Sequence, residues 1–284
     1  MNATYPTGLV AGLSNKAYHA ADALNNSTLA SMARSPAHCY ALHLAPGRPQ
    51  RIATPAMLAG TLAHCAVLEP LEMAARYAVR HAGLDLRTKA GKEWFDSIPA
   101  GLETITEEQR NTADAQRAAV FDVPELAELL AAGEAEQSAF WNDPATGLLC
   151  KCRPDWVHPL ADDRVILMDV KTTTDADPKA FAKTVWQYGY HRQAAWYSNG
   201  YERATGKQVA AFVFAVVTNA YPFLAAACVL DEQFQTLGAD DCRELLDEYA
   251  ACKRSGYWPG FTGMNVVTAP AWALPSQELE VSYV

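Results

Sequence analysis

Apolar residues recur at helical spacing through the first part of the chain, where polar or proline-containing breaks separate the segments. The segments that predict helices there are 28–35, 37–44, 55–69, 106–118 and 124–132. Asn26 and Ser27 are suited to cap the first of these helices, and Pro70 ends the long apolar one. The stretch 71–105 is polar and lacks a clear period, so the sequence predicts a loop there.

The pattern changes near residue 134, where short apolar runs bounded by turn residues replace the helical period. These runs predict strands over 138–141, 148–157, 164–173, 209–218 and 223–231. Two longer amphipathic segments predict helices over 178–204 and 232–253. Strands and helices therefore follow one another in the second half of the chain, as they do in mixed α/β folds.

This order of elements predicts one mixed α/β domain over 1–284. Residues 1–133 are expected to form a mainly helical N-terminal part, and 134–255 a core with a central mixed β-sheet flanked by helices. Residues 256–284 are expected to form an extended tail. Breaks in that tail are predicted at Pro259-Gly260 and Pro270-Ala271.

Charge is unevenly distributed along the 284 residues, although the net charge is -9 and half the residues are hydrophobic. The successive blocks 1–60, 61–146, 147–210 and 211–284 carry net charges of +3, -8, +2 and -6. This composition excludes a disordered chain and a collagen. If the two basic blocks meet in the fold, they form a cationic groove inside an acidic protein.

Seven scattered cysteines and the absence of a secretory signal predict reduced thiols and a cytoplasmic protein. Cys150 and Cys152 are too close in sequence for the usual zinc-binding pair, so they are expected to be buried on a strand. A cysteine-ligated iron–sulfur cluster is the alternative, with little support from the spacing of Cys242 and Cys252. No apolar run approaches the roughly 18–20 residues that span a bilayer, so no membrane association is expected.

The third predicted strand carries an aspartate and a lysine on an otherwise apolar face. Side chains alternate along a strand, so Asp169 and Lys171 share one face, and Lys151, Arg153 and Asp155 share a face of the preceding strand. If the two strands are antiparallel neighbours, Asp155 comes near Asp169. Two converging carboxylates favour a hard cation, Mg²⁺ or its substitute Mn²⁺. A structural ion pair between Asp169 and Lys171 is the alternative explanation.

Such a metal site would suit phosphodiester hydrolysis. The cation would lower the pKa of a bound water and offset charge on the phosphodiester. Lys171 would orient that water, or act on its proton if the pKa of the lysine is depressed.

These parts, in this order, resemble the PD-(D/E)XK nuclease superfamily. Pro154-Asp155 is followed after thirteen residues by Asp169-Val170-Lys171, and the next predicted helix carries Gln193 and Tyr197 four residues apart. The Q-x3-Y pair resembles the RecB-type exonuclease branch, and the wider string is similar to the nuclease domain of the RecE family. Two upstream segments also fit that family, Ser35-Pro36-Ala37-His38 and Gly60-Thr61-Leu62-Ala63-His64. The resemblance covers most of 25–260 and implies the PD-(D/E)XK nuclease core.

The resemblance implies a metal-binding role for several residues. Asp155 and Asp169 would be the metal carboxylates, and the backbone carbonyl of Val170 would complete the shell. His64, on its apolar helix, would approach the same metal, with a satisfied core histidine as the alternative. Glu136 would assist the metal, with a solvated surface position as the alternative.

The resemblance also implies which residues act on the substrate. Lys171 would be the catalytic lysine, Gln193 would position a phosphate or the water, and Tyr197 would support Gln193. Trp186 and Tyr190 are expected on the same helix face as Gln193. They are predicted to pack in the core, with stacking on a frayed DNA end as the alternative.

Members of the RecE family resemble processive 5′-to-3′ exonucleases that act on ends of linear double-stranded DNA and leave 3′ single strands for recombination. By analogy the resemblance implies a ring-shaped homo-oligomer around DNA, a possible single-strand annealing protein as partner, and a phage or prophage origin. Candidate phosphate contacts are Lys151, Arg153, Lys179, Lys183 and Arg192, with ordinary surface charges as the alternative.

Other functions fit the same sequence. An endonuclease or a 3′-directed RecB-like nuclease would use the same ligands, and a non-catalytic DNA-binding protein could retain the fold. An oligomer whose acidic helix over 232–250 binds a partner is a further alternative. The chain contains no P-loop, G-x-S-x-G or H-E-x-x-H motif, which disfavours an ATP motor, a serine hydrolase and a zincin.

Overall fold

The computed structural model describes residues 5–49, 52 and 54–269. The predicted tail break at Pro270-Ala271 lies outside these residues. The strands are β1 Gly8–Val10, β2 Tyr77–Arg80, β3 Glu103–Thr106, β4 Glu134–Ala135, β5 Ser138–Asn142, β6 Leu149–Cys152, β7 Trp156–Pro159, β8 Arg164–Thr173, β9 Gln208–Thr218 and β10 Ala225–Val229. The helices are α1 Asn15–Ala20, α2 Asn26–Met32, α3 Pro36–Cys39, α4 Pro55–Leu68, α5 Met73–Arg76, α6 Lys89–Asp96, α7 Glu107–Phe121, α8 Pro124–Leu130, α9 Pro178–Tyr188, α10 Tyr190–Thr205 and α11 Glu232–Ser255.

The helix α1 was not predicted, but α2 to α4 follow the sequence pattern closely. α2 is capped by Asn25, whose side chain accepts a hydrogen bond from the backbone N–H of Thr28, one residue before the predicted cap. α3 continues into a single π-helical turn over Tyr40–Leu44. α4 begins after Thr54, which caps it, and ends just before Pro70 as predicted.

A five-stranded mixed sheet forms the centre of the fold, in the order β10-β9-β8-β7-β4. β8 and β9 are parallel, whereas the other neighbouring pairs are antiparallel. The parallel pair is joined by α9 and α10, the helical crossover that parallel strands require. The predicted mixed α/β fold with a central mixed sheet is therefore confirmed.

The two faces of this sheet bury separate apolar cores. Leu167 and Phe214 point to the side covered by α10 and α11, whereas Val170 and Ala215 point to the side covered by α4, α7 and α8. Because side chains alternate along β8, Asp169 and Lys171 project toward the α10 side while Val170 does not. Both charged residues therefore lie on the α10 side of the sheet.

The strand predicted over 148–157 is two strands in two different sheets. β6 belongs to a three-stranded sheet of order β1-β5-β6, and β7 belongs to the central sheet. Arg153, Pro154 and Asp155 form the passage between them. Pro154 lacks a backbone N–H, so the ladder is interrupted there. The prediction that Lys151, Arg153 and Asp155 share one face of one strand is therefore wrong.

The predicted loop over 71–105 is also corrected, because it is largely ordered into short elements. β2 and β3 pair in parallel, with Val79 opposite Ile105. Ile105 and Tyr77 are buried against Leu62 of α4. Such a short parallel pair depends on contacts distant in sequence, and its four-residue strands leave little local periodicity to find.

The helix predicted over 178–204 is interrupted at Gly189. This glycine adopts the left-handed conformation (φ 70°), ends α9 and precedes α10. Trp186 therefore lies on a different helix from Gln193 and Tyr197. The expectation that Trp186 packs in the core is wrong, because 61% of its surface is exposed.

All seven cysteines are free and buried, which confirms the buried thiols expected on β6. In the described part of the chain, no helix has the length and apolarity needed to cross a membrane.

We expect the crossing of α10 and α11 to be intolerant of any side chain at Gly238. A Cβ there would lie 2.2 Å from the backbone carbonyl oxygen of His191, a contact that only helix separation relieves. Gly238→Ala should cost roughly 1–3 kcal/mol, as overpacking does. Thermal denaturation should show this as a fall in Tm.

Gly60→Ala is the matched control, since Gly60 lies inside α4 and a Cβ there would have only Thr172 Oγ1 nearby, at 3.9 Å. Alanine should stabilise that helix by roughly 0.5–1 kcal/mol and raise the Tm. Equal effects of the two substitutions would contradict the close approach of α10 and α11.

Candidate active site

The two carboxylates predicted to converge do lie side by side. β7 pairs antiparallel with β8 so that Trp156 is opposite Met168. The preceding residue, Asp155, therefore comes beside Asp169, and the charge of Asp169 raises the pKa of Asp155. The break after β6 brings this about, since it carries Asp155 out of the first sheet and to the start of β7, between β8 and β4 of the second.

Asp155 is buried and touches both the strand β8 and the helix α4. Its Oδ2 accepts a hydrogen bond from the backbone N–H of Val170 at 2.8 Å and lies 3.1 Å from Nδ1 of His64. Burial and the neighbouring Asp169 hold the pKa of Asp155 well above its usual range, against the opposing effect of Lys171. Ionising this carboxylate is therefore costly unless further positive charge is supplied.

Asp169 is held between an amide and an ammonium group. Its Oδ1 accepts a hydrogen bond from Nε2 of Gln193 at 2.5 Å. Its Oδ2 lies 2.5 Å from Nζ of Lys171. That contact is an ion pair without hydrogen-bond geometry. Of the described residues, only Asp169 has a buried side-chain oxygen or nitrogen without a hydrogen-bond partner, and that atom is Oδ2.

Lys171 is enclosed by negative charge and by an aromatic ring. Its Nζ lies 4.6 Å from the ring centroid of Tyr190. Burial favours a lower pKa for Lys171, but Asp169 and Asp155 outweigh that effect and raise the pKa above its usual value. The lysine is thus held as an ammonium, which favours its orienting role over the proton transfer that a depressed pKa would allow.

His64 and Glu136 approach the same cluster from outside the central strands. Nδ1 of His64 lies 3.1 Å from Oδ2 of Asp155, and 31% of the histidine side chain is exposed. Desolvation of the ring lowers the pKa of His64, against the opposing effect of Asp169. Glu136 lies 3.7 Å from Arg153, and its backbone N–H donates to the carbonyl oxygen of Asp155. Burial and Asp155 raise the pKa of Glu136 to about 7. Glu136 also adopts a left-handed backbone conformation (φ 54°), which is uncommon for a residue other than glycine.

The residues gathered here fit a hard divalent cation by their chemistry. Two carboxylates, an imidazole and a backbone carbonyl are suitable donors. The buried Oδ2 of Asp169 is paired with Lys171 and accepts no other hydrogen bond. Among the described residues, no set of three or more His, Cys, Asp or Glu side chains is already placed to hold a metal ion. Lys171 contacts one carboxylate and the N–H of Val170 contacts the other, so binding would rearrange these contacts.

Tyr197 lies one helical turn after Gln193 on α10, as expected. Its ring packs edge-on against Phe212 with 6.1 Å between the ring centroids. Burial raises the pKa of Tyr197 well above its usual value, and Asp169 and Asp155 add to the shift. The phenol is therefore a neutral group beside the carboxylates.

Two of the predicted DNA contacts are buried inside the protein. Lys151 donates to the carbonyl oxygens of Tyr18 and Ala21 at 2.7 and 2.8 Å, and burial lowers its pKa to about 8. Arg153 donates to Oγ of Ser138 and to the carbonyl oxygen of Leu13. The expectation that these cations contact DNA phosphates is corrected, because both hold the N-terminal segment against β6.

The other predicted phosphate contacts reach the surface. Lys179 and Lys183 are exposed on α9. Arg192 is half-buried, and its guanidinium lies 3.1 Å from a carboxylate oxygen of Asp241. A role in DNA binding stays a prediction for these three residues.

The sequence did not reveal two aromatic neighbours of the charged residues. The ring of Tyr190 covers the ammonium of Lys171. In the sequence, the position of Tyr190 three residues before Gln193 was the one indication of this contact. Tyr18 lies 4.8 Å from Lys151 and 4.2 Å from Arg153, measured from its ring centroid to Nζ and Cζ. No local signal links Tyr18 to those strands.

This fold and site define a PD-(D/E)XK-type protein. The chain belongs to the family described as PDDEXK-like domain of unknown function (DUF3799), whose model matches residues 25–266. It is similar in structure to a "putative exonuclease" from Eubacterium rectale, with a TM-score of 0.57 and 13% sequence identity. That similarity covers 83% of this chain and 82% of the other and concerns the fold. No curated protein matches the chain.

We expect Asp155→Asn to stabilise the protein in the absence of divalent metal. Asparagine can still accept from Val170, and it removes a buried charge. The raised pKa means that the folded state binds the extra proton between the usual pKa of aspartate, about 4, and the raised value. Wild-type stability should fall as pH rises through that window, so the gain in Tm should grow with pH.

Asp143→Asn is the matched control, because Asp143 is also buried but its pKa is lowered. Burial opposes that shift, but hydrogen bonds from Thr146 and Arg243 outweigh it. This carboxylate stabilises the fold above its usual pKa, so its loss should lower the Tm at pH 7. A lower Tm for Asp155→Asn at pH 8 in EDTA would contradict the electrostatics described for Asp155.

Proposed function

We propose that the protein is a DNA nuclease that requires Mg²⁺, with Mn²⁺ as a substitute. The observation that supports this most strongly is the convergence of Asp155, Asp169 and Lys171 at one buried point, with Gln193 bound to Asp169. An ion pair that only stabilised the fold would need one carboxylate and one ammonium group. It would not need a second carboxylate whose charge raises the pKa of the first. The arrangement instead suits a site that receives a cation and an anionic substrate together.

Asp155, Asp169 and the carbonyl of Val170 would hold the cation, with His64 and Glu136 beside them. When bound, the cation would supply Lewis-acid stabilisation of charge on the phosphodiester and make an attacking water more acidic. Asp155 and Asp169 would then both be ionised, since positive charge lowers the pKa of a neighbouring carboxylate.

The protein's own groups would orient the reactants. Lys171, held as an ammonium, would donate to a phosphate oxygen or to the attacking water rather than accept a proton. Gln193 fixes the rotamer of Asp169 through its amide N–H. Tyr190 limits the movement of Lys171 because it covers the ammonium with its ring face.

We further propose that the substrate is the end of linear double-stranded DNA and that cleavage runs 5′ to 3′, leaving a 3′ single strand. The resemblance to the RecE family supports this proposal, as does the similarity in fold to a protein described as an exonuclease. A homo-oligomeric ring around the DNA, an annealing partner, a cytoplasmic location and a role in recombination belong to the same proposal. The exposed Lys179 and Lys183 of α9 would contact the DNA backbone.

Lys171→Met should reduce Mg²⁺-dependent cleavage by at least about 100-fold, the usual cost of losing one aligned electrostatic group. Initial rates on a linear duplex should be compared for the wild type, the variant and Lys89→Met. Lys89 is the control because 91% of its side chain is exposed, on α6. A Lys171→Met variant that folds and cleaves at the wild-type rate would contradict the proposed role.

Cleavage polarity should be tested on linear duplexes labelled at the 5′ or the 3′ end, with covalently closed circles in parallel. Early release of the 5′ label as mononucleotides, with intact circles and no reaction in EDTA, is expected. Early release of the 3′ label would indicate a 3′-directed nuclease, and nicked circles an endonuclease. No Mg²⁺-dependent cleavage of either substrate would overturn the nuclease proposal in favour of a non-catalytic protein.

A further inference from the structure

The break at Gly189 creates two stacked aromatic pairs at the surface. Tyr188 stacks on Tyr190 with 5.8 Å between ring centroids, and Trp186 stacks on His191 with 5.2 Å. In each pair the inner ring is the more buried member, whereas Trp186 and Tyr188 are both 61% exposed. The left-handed turn thus leaves two large rings at the surface, each stacked on a more buried ring.

The supporting rings are themselves fixed. His191 is buried, and its Nε2 lies 3.2 Å from a carboxylate oxygen of Asp241. Tyr190 is packed between Phe181 and Phe214, with centroid distances of 6.0 and 5.7 Å. The exposed rings therefore lose little further freedom when a flat molecule stacks on them.

The helix that presents these rings is basic. α9 contains Lys179 and Lys183 and no aspartate or glutamate over 178–188. Both lysines are exposed. The combination of exposed aromatic rings with nearby cations suits a ligand that has flat faces and negative charge.

One of these rings, Tyr188, lies next to the catalytic centre of the proposed nuclease. Tyr190 stacks on Tyr188, and its ring centroid also lies 4.6 Å from Nζ of Lys171. One aromatic ring thus links the exposed Tyr188 with the lysine. A strand that reaches Lys171 would pass close to the end of α9.

We propose that Trp186 and Tyr188, which point to different sides of α9, are two separate stacking sites for unpaired bases of a DNA strand, together called the stacking platform, with Lys179 and Lys183 at its phosphates. The role of this platform in the cleavage reaction rests on the proposed function. Paired bases inside a duplex hide their faces, so a platform of this kind selects a single strand or a frayed end. The platform would hold the end open beside Lys171 and would favour substrates with unpaired termini.

The test is the binding of a fluorescein-labelled oligothymidylate, followed by anisotropy in EDTA so that cleavage does not interfere. Trp186→Ala and Tyr188→Ala should each weaken binding by at least about fivefold, the lower end of the loss for one base–aromatic stack. Trp186→Phe and Tyr188→Phe keep a ring and should bind within about twofold of the wild type. Phe95→Ala, which removes a 55% exposed ring from α6, should leave binding unchanged.

Salt dependence tests the lysines separately. The double variant Lys179→Ala/Lys183→Ala should reduce the slope of log affinity against log salt by about 0.7 for each lysine that contacts a phosphate. An unchanged slope would overturn the phosphate contacts assigned to α9.

Three results would overturn the stacking platform: no binding of the oligonucleotide by the wild type, wild-type binding by the alanine variants, or equal losses in the alanine and phenylalanine variants. The failure of the platform is distinguishable from the failure of the nuclease proposal. Ring-dependent binding without any Mg²⁺-dependent cleavage would support the stacking platform and contradict the nuclease proposal. Cleavage of blunt and frayed duplexes that is unaffected by Trp186→Ala and Tyr188→Ala would support the nuclease proposal and contradict the stacking platform.

Discussion

The structure depends on one constraint, the burial of two neighbouring carboxylates where the start of β7 lies beside β8. Asp155 and Asp169 repel each other, and neither reaches bulk water freely. Lys171 supplies one positive charge, so the cluster lacks a second positive charge whenever both carboxylates are ionised. Buried ionised groups that are incompletely compensated cost stability, and folds retain them mainly where they act on a ligand. This deficit of positive charge is the physical basis for the proposed metal-dependent chemistry.

The surrounding elements each hold one part of this cluster. The parallel pairing of β8 with β9 fixes the strand that carries Asp169 and Lys171, and α10 brings Gln193 to it. α4 approaches from the opposite face and presents His64 to Asp155. Lys151 and Arg153 act at a distance, because they bind the N-terminal segment and so secure the sheet that leads into Asp155.

Much of the candidate site could be predicted from the sequence, for a physical reason. Asp169 and Lys171 stand out because charged residues alternate with apolar ones on a strand that is otherwise buried, and Q-x3-Y places Gln193 and Tyr197 on one helix face. Lys151 and Arg153 show where such reasoning fails. Their charge suggested the surface, but backbone carbonyl groups brought from residues 13–21 satisfy them in the interior. Those carbonyl groups are 130 or more residues away in sequence, so no local pattern could reveal them.

Pro154 and Gly189 each interrupt an element that the sequence predicted to be continuous. Each residue was visible in the sequence, but whether it bends or ends an element depends on what the following segment packs against. Pro154 separates two sheets, and Gly189 turns Tyr190 over Lys171 while it leaves Trp186 at the surface. The residues of the candidate site were therefore easier to predict than the aromatic residues around them.

The central claim is that the deficit of positive charge between Asp155 and Asp169 is a cation site. The most direct test is a titration of Mn²⁺ into the wild type and Asp169→Asn, followed by electron paramagnetic resonance of the free ion. The amide introduced by this substitution cannot supply the carboxylate, so saturable binding by the wild type and its loss in the variant are expected. Equal binding by both proteins, or no binding by the folded wild type, would contradict the account.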